Sequence, residues 1–139
     1  MTDHRTQSHR LGWLRAFSAR AVAVPATLFG AAMIGDWIYS ATEWMMWSNA
    51  AAWLLLGGLM GAVVALLALA LLWRNGGESL VGVVVLGAAI AVETVNFLVH
   101  FHDGFTSVVP VGLTLSVVGA ALTLVAAWLA RHSAIEARA

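Results

Sequence analysis

Glu93, Asn96 and His100 lie at spacings of three and four inside one apolar stretch, LGAAIAVETVNFLVHFHD, from Leu86 to Asp103. At about 100° per residue they fall within roughly 60° of one another on a helix, so one face is polar and the rest suits lipid. A carboxylate and an imidazole at hydrocarbon depth are expensive. Such groups point into a bundle interior or a cavity, where they hold a ligand, pass protons or satisfy one another. An earlier stretch carries the same theme, with Asp36, Tyr39 and Glu43 at the same 0, +3 and +7 positions. These six residues are the candidate site.

The rest of the chain must carry that site in a membrane. Of 139 residues, 61% are apolar and 10% charged, and the mean hydropathy is +0.88. A soluble domain would hold roughly a quarter charged residues. Net charge is zero, so no broad basic surface invites nucleic acid, and the absence of cysteine excludes disulfides, thiolate metal sites and iron–sulfur ligation. Four hydrophobic segments are expected, Ala21–Tyr39, Ala50–Trp73, Leu80–Phe101 and Val108–Ala130. Each is near the ~20 residues that cross a hydrocarbon core. The fold expected is an all-α, integral membrane four-helix bundle spanning residues 21–130, with Pro25 and Pro110 in first turns.

Residues 1–20 form a basic leader or interfacial helix: Arg5, Arg10, Arg15 and Arg20 alternate with Leu11, Trp13, Leu14 and Phe17. Asp36 interrupts the first apolar run and no clean small-residue cleavage site follows, so this run is read as a helix rather than a signal peptide. Residues 131–139 are a short charged tail. Every basic residue lies in the leader, at Arg74 or in the tail. The connections around 40–49 and 102–107 hold Glu43, His102 and Asp103 and no Lys or Arg. By the positive-inside rule both termini are cytoplasmic, and His102 and Asp103 belong to a loop on the outer side.

The two halves align at an offset of 57 residues. GAAMIGD, from Gly30, meets GAAIAVE, from Gly87; Asp36 falls on Glu93, Tyr39 on Asn96, Glu43 on His100 and Arg74 on Arg131. Both halves start and end on the same side, so this reads as two parallel helix hairpins about an axis along the membrane normal. Symmetric packing would bring all six polar residues together near that axis. Gly57 and Gly61, and Gly112, Ser116 and Ala120, read as small-residue packing stripes. Trp37, Trp44, Met45, Met46 and Trp47 read as an aromatic and apolar interface belt.

The run NFLVHFHDGFTSVVPVGLTLS, from Asn96 to Ser116, resembles the DUF2231 family of small four-helix bacterial membrane proteins of unknown function. The resemblance rests on Asn96, His100, Asp103, Thr106, Ser107, Pro110, Gly112, Leu113, Leu115 and Ser116, with Asp36 similar to the family's first-helix aspartate. His102 stands where the family has arginine, the family's acid at the end of helix two is absent, and SARAVAVP lacks the histidine found before helix one in many members. The resemblance implies the fold and the polar residues worth testing, and the location expected is the bacterial inner membrane. It implies no activity.

Four chemistries compete for the cluster. His100, Glu93 and Asp36 offer ligands for a divalent metal, although Glu93 and His100 are two turns (~10 Å) apart on their own helix. Haem b could use His100, but the symmetry mate is Glu43, so a second axial histidine would have to come from a homodimer. A proton or ion path would suit the chain of polar groups, yet the inner halves of the helices carry no titratable residue before Arg74 and Arg131. The fourth reading is polar glue in an accessory subunit, held by the lipid bilayer and by other membrane subunits or a homo-oligomer, with the acids protonated or paired with His100. No phosphate loop, nucleophile elbow or H-E-x-x-H is present, so the reading is non-enzymatic.

Overall fold

The computed structural model describes residues 3–77, 80–102 and 108–136, with side chains from residue 10 onward. Asp103, Thr106, Ser107 and Arg138 lie outside the described residues. Four α-helices carry the chain: α1 (Asp3–Thr42), α2 (Met45–Arg74), α3 (Leu80–Phe101) and α4 (Leu113–Glu136). All four are long and apolar enough to cross a membrane. The chain is a multi-pass membrane protein with an all-α four-helix bundle. Its outer surface is apolar, with Ile34, Trp53, Leu67, Leu98 and Leu124 all exposed, which is where hydrocarbon takes the place of water.

The expected span Leu80–Phe101 is reproduced by α3, while the leader differs. α1 is one helix of 40 residues, about 60 Å long, so it extends well past a ~30 Å hydrocarbon core. No break separates leader from span at residue 20. Pro25 therefore lies inside the helix instead of in its first turn. Pro110 lies in a wide turn, Val108–Gly112, that precedes α4 and is interrupted at Val109 by extended backbone.

The helix ends explain the connections. Glu43 adopts a left-handed φ of 57° and its N–H bonds the Tyr39 carbonyl at 2.7 Å. That closes α1, and α2 begins two residues later. At the other end of α2, Gly76 (φ 69°) and Gly77 bond the carbonyls of Trp73 and Leu72 at 2.9 and 2.8 Å, the paired pattern that terminates a helix through a left-handed glycine. Arg15 Nε then donates to the Gly77 carbonyl at 3.1 Å, tying the leader portion of α1 to the α2–α3 connection.

Each helix packs on its neighbours in the chain and α4 closes against α1, leaving α1 and α3 on a diagonal. The buried seam of α3 is Gly82, Leu86, Ala89, Glu93, Asn96 and His100, alternating steps of four and three as in left-handed bundles. α1 buries Pro25, Phe29, Ala32 and Asp36, the positions 57 residues before Gly82, Leu86, Ala89 and Glu93. Ala51, Leu55, Ala62 and Leu69 of α2 pair with Val108 and Gly112 of the turn and Gly119 and Ala126 of α4, and all eight are buried. Ala52 and Ala68 are buried as well, whereas their mates Val109 and Val125 are exposed. The 57-residue offset is thus kept at part of the packing seam. Gly57 and Gly61 face α1, where side chains would meet Leu28 at 3.6 Å and Val24 at 3.3 Å. Gly58 makes the tighter fit, because a side chain there would overlap the Phe29 ring.

Candidate functional site

The polar residues collect at the end of the bundle away from the arginines. Asp36 comes from α1, Glu93, Asn96 and His100 from α3, and Ser116 from α4, and all five have 0% exposure. The seam puts them there: each occupies a position that an apolar residue fills elsewhere along the same stripe. The α1–α3 diagonal is closed by His100 Nε2 and Asp36 Oδ1, 2.7 Å apart.

The other bonds complete a ring. His100 Nδ1 lies 2.9 Å from the Asn96 carbonyl. A carbonyl only accepts, so Nδ1 carries a hydrogen, and one further proton is held between Nε2 and Asp36. Asn96 Nδ2 donates to Ser116 Oγ at 2.8 Å and to Glu93 Oε2 at 2.9 Å. Ser116 Oγ in turn donates to Asp36 Oδ2. Starting from Asn96, the circuit runs through Ser116, Asp36 and His100 back to the Asn96 backbone.

Two atoms stand outside that circuit. Glu93 Oε1 and Asn96 Oδ1 are buried acceptors with no hydrogen-bond partner. A proton on Glu93 would convert its orphan acceptor into a donor. Space around this carboxyl is set by Gly119, where even a single methyl group would overlap it. Gly112 is less restrictive, since a methyl there would make an ordinary contact with His100 Cε1 at 3.5 Å.

Four of the six candidates thus meet: Asp36, Glu93, Asn96 and His100. Tyr39 is half-buried and makes no hydrogen bond with the network, and Glu43 is exposed in the α1–α2 turn. The symmetric six-residue cluster is not formed, because α1 has already ended where α3 still continues. His102 is exposed at the end of α3. The residue that the sequence reading left among the packing stripes is Ser116. Its small size suits close packing and its hydroxyl suits the network, and spacing alone does not separate the two roles.

Chemically the site is closed. Both ring nitrogens of His100 are engaged, so neither lone pair is directed at open space. Among the described residues no three His, Asp or Glu side chains are arranged to hold a metal ion. Toward the arginine end the described core is Phe29, Leu86, Ala89, Thr123 and Ala126, and Thr123 bonds its own helix at the Gly119 carbonyl, 2.8 Å. No titratable side chain extends the network in that direction among the described residues. Comparison of the chain with protein-family models, curated proteins and solved structures gave no match.

Proposed function

We propose that this chain is a non-enzymatic component of a bacterial inner membrane, an accessory subunit of a larger membrane complex, whose polar cluster fixes the bundle. The observation that carries the reading is His100: both nitrogens are bonded, at 2.7 and 2.9 Å, inside a ring with no exposed member. In a bilayer, water cannot take over those bonds once the helices separate, so a closed ring favours one arrangement of three helices. The distribution of arginines supports placing both termini in the cytoplasm. The similarity of Asn96–Ser116 to the DUF2231 motif belongs to the same proposal, since Asn96, His100 and Ser116 of that motif are members of the ring.

A second reading, proton or cation handling or a bound cofactor at the cluster, is favoured by the unpartnered Glu93 Oε1 and Asn96 Oδ1. Protein purified gently from its own membranes distinguishes the two. The structural reading expects no haem absorption, no stoichiometric metal and co-purification with larger membrane proteins. A Soret band or a bound metal that disappears in His100→Ala would make the cluster a cofactor site instead.

A further inference from the structure

At the opposite end of the bundle, α1 and α4 leave a groove of about 720 Å³ between them. Its apolar wall includes Ala23, Leu124 and Ala127, and Arg20, Trp128 and Arg131 also line it. The groove exists because alanines face one another across the two helices. Among the described residues no carboxylate lines it, and none pairs with Arg20 or Arg131. The acid nearest on α4, Glu136, is engaged with His132 at 3.1 Å.

The depth of the two arginines matters. Arg20 precedes the end of α1 at Thr42 by 22 residues and Arg131 follows the start of α4 at Leu113 by 18, about 33 and 27 Å of helix. With a ~30 Å hydrocarbon core between, both guanidinium groups reach the headgroup level of one leaflet while Ala23, Leu124 and Ala127 remain in the acyl region. Trp128 takes the boundary position that indole favours. All seven basic residues of the chain are arginines, and the described ones lie toward this end, as do the described acids Asp3 and Glu136. A planar guanidinium pairs with phosphate oxygens in a two-point fashion that lysine cannot match.

We propose that this groove holds an anionic phospholipid, its phosphate between Arg20 and Arg131 and an acyl chain along Ala23, Leu124 and Ala127. The occupant is a lipid and not a soluble anion because the apolar part of the groove continues below the charges. The partner is anionic because no described residue of the groove neutralises two cations.

Native mass spectrometry of the detergent-solubilised full chain, with dioleoyl phosphatidylglycerol or dioleoyl phosphatidylcholine added, tests this directly. Phosphatidylglycerol should bind about tenfold better, as two cations near a membrane surface allow. Arg20→Gln with Arg131→Gln should bring that ratio close to one, while Arg10→Gln with Arg74→Gln leaves it unchanged. Ala23→Trp keeps both charges and fills the groove, so it should reduce adducts of both lipids, and it serves if the double arginine variant fails to fold. Equal binding of the two lipids, or equal loss in the two arginine pairs, would overturn the proposal. So would displacement of the lipid by millimolar inorganic phosphate, or a dimer that Ala23→Trp dissociates while lipid adducts persist.

Discussion

The two helix hairpins share a packing seam and differ in what they do with the polar residues on it. In the second, α3 continues to Phe101, so His100 stays inside the bundle with 0% exposure. In the first, α1 stops at Thr42 and the corresponding residue, Glu43, is turned into an exposed left-handed position. Two residues of helix separate a buried imidazole from a solvated carboxylate. The first hairpin therefore contributes a single carboxylate, Asp36, and the second supplies the histidine, the amide, the hydroxyl and the orphan acid around it. Duplication can preserve the seam, which needs only small and apolar residues, while leaving a polar site to one copy, because such a site needs particular bonds.

This comparison can be broken at its strongest point first. His100→Ala leaves Asp36 buried with a missing partner and is expected to destabilise the bundle by about 3 kcal/mol or more, measured by reversible unfolding in mixed micelles. Gly119→Ala pushes a methyl group into the Glu93 carboxyl and should lose about 1–3 kcal/mol. Its effect should shrink when Glu93→Ala is present as well, since the clash is between those two side chains. Glu43→Ala, the symmetry mate of the first change, should remain within about 0.5 kcal/mol of wild type because the side chain is exposed. A large loss at Glu43 would mean that the first hairpin has a polar site of its own.

How much of this was legible in the sequence follows from what each feature depends on. Asp36, Glu93, Asn96 and His100 stand out because polar residues at helical spacing in apolar runs have few places to go. The limits of α3 were readable for the same reason, being marked by composition on both sides. Part of the seam was readable because burial follows the 57-residue offset at pairs such as Phe29 and Leu86 or Leu69 and Ala126. Ser116 was hidden by its surroundings, since a hydroxyl among glycines and alanines looks like packing until a carboxylate is found opposite it. The end of α1 was hidden because nothing in Thr42-Glu43-Trp44 demands a left-handed residue, and glutamate is not one that favours it. The leader misled in another way. Arginines every five residues rotate around a helix instead of marking one face, so the continuity of α1 through Arg20 had no periodic signal.

The two ends of the bundle also contrast in chemistry. The cluster is sealed and its hydrogen-bond partners are already inside it, whereas the groove by Arg20 and Arg131 is open and its charges are unmatched among the described residues. The first arrangement suits holding helices together. The second suits taking up a ligand.

The most direct test of the central claim is a double-mutant cycle between Asp36 and His100, using Asp36→Ala, His100→Ala and the combined variant, with unfolding free energy as the readout. If the pair closes a structural ring, the two losses should be strongly non-additive, with a coupling on the order of 1–3 kcal/mol. Additive losses would contradict the account, because they would mean that α1 and α3 are not held across the bundle by this bond.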